Sequence, residues 1–461
     1  MRTPFRPLVI SSLAVLLAAG AAQAETRPKY GETLRIDTRS SAFLMPGSYD
    51  ADDSLSRLIF DTLTMVDANG NLQPALATSW QGDAANRRWQ FWLRRNITWH
   101  DGAPLAATEV AQAIAAANPA WQVRSVGDSI VIETDAPMPG MPAIMSLMHN
   151  AAVRKAADGT LIGTGPYKIV SNANGRTVLQ ANQDYWRGRG FVDSIEITSG
   201  RSLRDQALDL DLGRADLIEA SLDDLRLQPS RRMRVSASRP IEVIALVFSS
   251  KHSAVQDDRI REAIALSLDR NAIQAVFLQR QGDASAALLP NWMTGYAFAF
   301  PSAQDLPRAR QVRAESGARF TISIGYTSTD PLARTIAERV VLNARDAGFV
   351  AQLATDLAAA DIVVEHISLR SGDPFAALSQ VAGEYGQPLE FKGSSWQDLF
   401  NAERDLLSRR AIVPIVEVPR VYAAGPRLHN FRVASDGSLD IAQFWIAPSA
   451  APQGSTAARS R

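Results

Sequence analysis

Apolar positions along this chain change their period several times, and each change marks an element. Residues 33–37 read as a short strand. Across residues 54–66, Leu55, Leu58, Ile59 and Leu63 recur at helical steps and predict one amphipathic helix. Asp67-Ala-Asn-Gly70 is a turn signal. Residues 89–93 form an aromatic-rich strand with Trp89, Phe91 and Leu93 on one face and Trp92 on the other. A turn at His100-Asp-Gly102 and Pro104 leads into a short helix over 110–117. Residues 129–134 alternate as a strand, and a Pro/Met-rich patch covers 137–148. Further strands are predicted over 167–170, 177–181 and 194–198, then a helix over 203–212 and a long apolar strand over 242–250.

Beyond residue 250 the pattern turns to alternating helices and strands. Helices are predicted over 259–268 and 272–279, the second opened by Asn271 as its cap. A strand over 320–326, a helix over 332–347, Gly348 and a strand over 349–353 make a βαβ unit, which implies parallel strands with a right-handed crossover. Another buried strand covers 360–367. A helix over 395–407, a strand over 413–418 and an extended piece over 439–446 follow. Residues 447–461 read as a Ser/Ala/Pro/Arg-rich tail. The alternation gives an α/β chain without solenoid repeats or a low-complexity linker.

Composition narrows the classes. With 461 residues, the chain has a soft prior of about three folding units. Lys+Arg and Asp+Glu are both 48, so the charge balance does not favour nucleic acid or an anionic membrane as the main partner. Cysteine is absent, which excludes disulfides, thiolate metal sites and a cysteine nucleophile. The start is an address label: Arg2 and Arg6 precede an apolar run over 8–17, and Ala22-Gln-Ala24 has the small-x-small pattern of a signal-peptide cleavage site. The run is shorter than the roughly 20 apolar residues that a membrane span needs. Residues 1–24 are therefore expected to be removed on export to the periplasm.

Catalytic signatures are missing. There is no G-x-S-x-G elbow, no H-E-x-x-H and no Walker A loop, and Gly163-Thr-Gly165-Pro lacks the third glycine of a dinucleotide fingerprint. The five histidines, His100, His149, His252, His366 and His429, lack metal-ligand spacing. The pairs Asp52-Asp53, Asp223-Asp224 and Asp257-Asp258 each sit beside a predicted helix start, where the helix dipole favours acids. No enzymatic activity, no metal and no cofactor are expected.

Several segments, in order, resemble the family 5 solute-binding proteins of ABC importers, the group that includes dipeptide-, oligopeptide- and nickel-binding proteins. They are Leu72-Gln-Pro-Ala-Leu-Ala-Thr-Ser-Trp80, then Trp89-Gln-Phe-Trp-Leu-Arg94, then Ile97-Thr-Trp-His-Asp-Gly-Ala-Pro-Leu105 with Glu109 and Val110. Gly163-Thr-Gly-Pro-Tyr-Lys168, Asn182-Gln-Asp-Tyr-Trp-Arg-Gly188, Asp258-Arg-Ile-Arg-Glu-Ala-Ile264 through Asp269-Arg270, and Asp373-Pro374 continue the series. Most of these motifs read as architecture: hydrophobic anchors, turns and, for the arginines between Asp258 and Arg270, a decorated helix face.

The resemblance implies a two-lobed periplasmic binding protein type II-like (cluster C) fold with a small extra subdomain in lobe I. Lobe I is expected over 25–247 with the subdomain at about 61–160, lobe II over 248–420, and a return to lobe I over 421–446. It further implies a monomeric substrate-binding component that captures a peptide-like or other small solute between the lobes and delivers it to inner-membrane permease subunits. A sensor or regulatory module on the same scaffold, and a metal-chelate binder, stay open as alternatives.

Two departures from the family bear on the ligand. Where peptide-binding members carry an Asp for the ligand's ammonium, and a Trp three residues earlier, this chain has Arg370 and Ile367. The expectation is a ligand that is not an ordinary free-amino peptide, or one with an anionic group facing Arg370. Ala106 also replaces a usual Thr cap, leaving Thr108 as substitute. Position in the chain adds Met45 and Tyr49, in the loop after the first strand, and Trp292 and Tyr296 as ligand-facing candidates beside Arg370.

Overall fold

The computed structural model describes residues 27–448 except 41–45, 47–52, 68–69, 226–232, 318, 328–329 and 355. Among the described residues, one mixed sheet runs through the molecule. Its order is Tyr167–Ala173, Arg176–Ala181, Ser194–Thr198, Thr33–Asp37, Leu217–Glu219, Ile412–Ala424, Arg234–Phe248, Ile362–Ser368, Thr321–Tyr326 and Val350–Leu353. The first lobe contributes a parallel block, Thr33–Asp37 between Ser194–Thr198 and Leu217–Glu219. The second contributes another, Thr321–Tyr326 between Ile362–Ser368 and Val350–Leu353, as the βαβ pattern requires.

Two long antiparallel strands join the blocks. Ala423 pairs with both Ile218 and Val235, so this end of the ladder belongs to the first lobe. Further along, Glu242 to Phe248 pair with Ile362 to Ser368 of the second. The register between the two strands breaks around Pro240, which faces Pro419. A proline supplies no ladder donor, so the point where the chain crosses between lobes is also where its hydrogen bonding is thinnest. Sequence periodicity placed these strands at 242–250 and 413–418; they extend to Arg234–Phe248 and Ile412–Ala424 because both lobes supply neighbours to pair with.

Each lobe closes its own core. The second packs the Pro331–Asp346 helix on the sheet through Ala333, Ile336, Ala337, Val340, Val341 and Ala344, spaced for one helical face. Asp330 caps that helix, accepting from the Leu332 and Ala333 amides, and Pro331 takes the first position, where no amide is needed. Asp373-Pro374 repeats the device, with Asp373 Oδ1 accepting from the Ala376 amide at 2.9 Å. The subdomain is a four-stranded antiparallel sheet, Ala77–Gly82, Arg88–Leu93, Ser129–Glu133 and Gln122–Val126, covered by the Ala107–Ala117 helix. Trp89, Phe91 and Trp99 are buried in it, and Trp92 stands on the opposite face, 36% exposed.

Five local expectations need correction. The predicted helix over 54–66 is one turn, Asp53–Ser56, followed by turns and the Thr64–Val66 strand; its apolar residues are buried because the lobe encloses them on every side. Residues 439–446 contain a 3₁₀ turn, Ile441–Gln443, and a two-residue strand in place of one extended piece. The helix after residue 268 is Arg270–Val276, capped by Asp269 rather than Asn271. Glu109, not Thr108, takes up the exposed amide of Ala106, at 3.3 Å from its Oε2. Arg261 and Arg270 are buried instead of decorating a helix face: Arg261 Nε donates to the Val255 carbonyl and Arg270 Nε to that of Pro414.

Candidate ligand-binding site

The lobes are in contact. A Cβ on Gly372 of the second lobe would lie 3.6 Å from Gly70 and 3.7 Å from Val66 and Asp436 of the first, and a Cβ on Gly140 would meet Phe375 at 3.0 Å. Ala376 of the Pro374–Glu384 helix sits within the subdomain's core cluster. Between these contacts lies a cavity of about 580 Å³. Leu369, Arg370 and Ser371 line it from the second lobe, Arg420 lines it from the crossover, and first-lobe residues such as Asp53 and Arg57 complete it.

Arg370 is held where strand turns into helix. Its amide donates to Gln380 Oε1 at 2.9 Å, while Gln380 Nε2 donates to the Ser368 carbonyl at 3.0 Å. The guanidinium lies between carboxylates of both lobes, with Nη1 3.6 Å from Asp53 Oδ1 and Nε 3.5 Å from Glu384 Oε1. Its side chain is only 7% exposed, so this is a buried charge whose partners offset its desolvation.

A second charged cluster lies along the crossover. Arg420 Nε donates to Glu242 Oε1 at 2.9 Å, and His366 stands between Glu242 Oε2, 3.7 Å from Nδ1, and Asp330 Oδ2, 3.0 Å from Nε2. Burial alone would lower the His366 pKa, but Asp330 and Glu242 raise it to about 9. The imidazole is therefore cationic at neutral pH. Burial opposes ionisation of Asp330 as well, yet His366 and the Ala333 amide bring it down to about 2. From the first lobe, Arg39 Nε reaches Glu219 Oε2 at 2.5 Å, and Glu242 and Asp330 add to the field that holds it charged.

Asp61, in the cavity wall, is held by three donors. Asp61 accepts from Thr164 Oγ1 at 2.8 Å, Tyr185 Oη at 3.0 Å and Trp186 Nε1 at 3.1 Å. His100 Nε2 lies 3.0 Å from the Gly165 carbonyl, and burial lowers its pKa to about 4. Among the described residues, no group of three or more His, Asp or Glu is arranged to hold a metal ion.

Of the five residues singled out in the sequence, Met45 and Tyr49 lie outside the described residues. Arg370 lines the cavity. Trp292 and Tyr296 do not: Trp292 Nε1 donates to the Pro240 carbonyl at 2.6 Å, directly on the crossover, and Tyr296 Oη donates to Glu403 Oε2 at 2.8 Å inside the second lobe. Asp53 and Arg420, which line the cavity, were not anticipated there, nor were Glu242 and His366 in the charged cluster along the crossover. Asp53 was read only as a helix-start acid, and it does open a helical turn while its carboxylate turns to Arg370.

Two α/β lobes, a pair of crossover strands and a cavity at their seam define the two-lobed periplasmic binding-protein class. Within it, the chain belongs to the bacterial extracellular solute-binding proteins, family 5, whose middle region matches residues 71–398. It is 21% identical over 375 residues, 70% of this chain and 68% of the relative, to an oligopeptide-binding protein, AppA, of Bacillus subtilis. It is 24% identical over 332 residues to the periplasmic oligopeptide-binding protein OppA of Haemophilus influenzae, covering 61% of this chain and 60% of that one. The alignments thus span about two thirds or less of these relatives' length. The fold is similar to that of NikA from Staphylococcus aureus in complex with Ni(L-His)2, with a TM-score of 0.75 at 17% identity over 90% of this chain and 100% of that one. Among the described residues, no helix is long and apolar enough to cross a membrane.

Proposed function

We propose that this chain is the periplasmic substrate-binding component of an ABC importer, capturing a peptide-like or other small solute between its lobes and delivering it to the permease. In this reading lobe I comprises residues 25–247 and 421–446, lobe II comprises 248–420, and the protein works as a monomer without catalysis or cofactor. The observation that carries it is the cavity of about 580 Å³ at the seam, whose wall joins Asp53 of one lobe to Arg370 of the other. Such a volume lies within the range of small-molecule sites, and closure of hinged lobes removes a guest from water. The family's oligopeptide-binding relatives support a solute of that size. Closure also makes occupancy readable, because a partner that prefers the closed form responds to ligand through population shift.

Thermal unfolding of the mature chain against a solute panel, with small-angle scattering on each hit, tests the reading. One chemical class is expected to raise the melting temperature by mass action and to compact the molecule. Flat melting and scattering across the panel, or conversion of the solute to product, would overturn it.

A further inference from the structure

Resting on that reading of the cavity, we propose that Asp53 receives a cationic nitrogen of the ligand, so that the captured solute carries an ammonium or guanidinium group. Both carboxylate oxygens of Asp53 are shielded from solvent, and among the described residues neither accepts a hydrogen bond. Its one ion-pair contact among them, Arg370 Nη1 at 3.6 Å, is too long to be a hydrogen bond. An ionised carboxylate offers about four acceptor sites, and burying it without donors is costly unless a charged donor arrives. Asp53 also lines the cavity.

The surroundings favour a cation over an anion. The guanidinium of Arg370 faces Asp53 across the seam and Glu384 within its own lobe. Glu365, whose Oε2 accepts from Tyr385 Oη at 2.7 Å, adds a third carboxylate to the same field. Burial above all, with smaller contributions from Asp53 and Glu365, raises the Glu384 pKa against the lowering effects of Arg370 and Gln380. Among the described residues Arg57, four residues on from Asp53, forms no ion pair with it and instead donates Nη2 to the Ser146 carbonyl at 2.9 Å. Arg370, the guanidinium beside Asp53, is shared with Glu384. An arriving ammonium or guanidinium supplies the hydrogen-bond donors that Asp53 lacks, whereas a ligand carboxylate brings none. The charge of Arg370, read alone, suggested the opposite preference; its two acidic neighbours, far apart in the sequence, reverse it.

The test uses matched probes on the full mature chain: agmatine, cadaverine, L-arginine and trialanine, each beside its N-acylated uncharged form, with succinate and N-acetyldialanine as anionic controls. Stabilisation confined to cationic members supports the proposal, as does a calorimetric Kd weakened about tenfold or more by Asp53→Asn, the loss of a charged hydrogen bond. The melting of Asp53→Asn without ligand is measured alongside, and binding is compared at a temperature where both proteins are folded, which separates lost binding from lost folding. An uncharged or anionic member that binds equally well to parent and variant overturns the proposal and leaves the receptor reading standing. If no probe binds and scattering never changes, this proposal fails, and a wider panel that is equally silent takes the receptor reading with it.

Discussion

His366 Nε2 lies 3.0 Å from Asp330 Oδ2, a contact between the central sheet of the second lobe and the cap of the helix that covers it. The same imidazole faces Glu242 on the crossover strand, so one side chain ties the hinge to the body of the lobe.

This arrangement makes stability depend on alkaline pH. The His366 pKa, raised to about 9, lies above the value of an unfolded histidine. Its contribution is therefore fully present below about pH 6.5 and is lost as pH rises through about 9. Replacing it, as His366→Gln, should cost on the order of 2 kcal/mol at pH 7. The variant should also flatten the parent's loss of stability between pH 6.5 and 9. Denaturant titration at several pH values checks this; parallel pH profiles for the two proteins would contradict it.

Glu403 gives a second pH dependence of the same sign at lower pH. Burial lifts its pKa to about 7, although the Leu289 amide, the Tyr296 hydroxyl and the Leu288 amide all donate to it and lower it. An acid raised in the folded state stabilises the fold fully below its unfolded value near 4.5, and that contribution disappears as pH climbs through about 7. Glu403→Gln keeps an acceptor for the amides and never ionises. It should narrow the gap in melting temperature between pH 5 and pH 8, corresponding to roughly 2 kcal/mol. An unchanged gap would show that Glu403 ionises freely.

Gly163 tests the strand-entry motif. A Cβ there would stand 1.9 Å from the Ile59 carbonyl oxygen. Neighbouring residues zip the two segments together, with Gly165 N donating to Ile59 O at 2.9 Å and Tyr167 N to Leu58 O at 2.8 Å. Because the obstacle is backbone, it has little room to yield, and Gly163→Ala should destabilise by about 3 kcal/mol or prevent folding. Gly383→Ala is the matched control, since nothing lies within 4 Å of its Cβ position. Equal melting of the two variants would refute the packing argument.

Much of the fold was legible because its elements obey local rules. The Ser194–Thr198 strand, the Pro331–Asp346 helix and the parallel strands flanking it follow from periodicity and caps that lie within a few residues. The Gly163-Thr-Gly-Pro-Tyr motif was recognisable as a tight entry, although the carbonyl that demands glycine, that of Ile59, is about a hundred residues earlier in the chain. The helix predicted over 54–66 failed for a related reason. Leu55, Leu58, Ile59 and Leu63 are apolar at helical spacing, but burial on all sides satisfies that pattern without a continuous helix.

The sequence by itself determined the family, the α/β character and the order of the elements, because those are written in spacings between near neighbours. Only the tertiary structure decided the electrostatics of the cavity. Arg370 is a positive charge in the sequence, yet Asp53 and Glu384 stand beside it in space. Trp292 and Tyr296, plausible cleft aromatics by position, instead brace the crossover and the second lobe's interior. The field at a buried point sums charges from every segment that folding brings near it, and no local pattern along the chain encodes that sum.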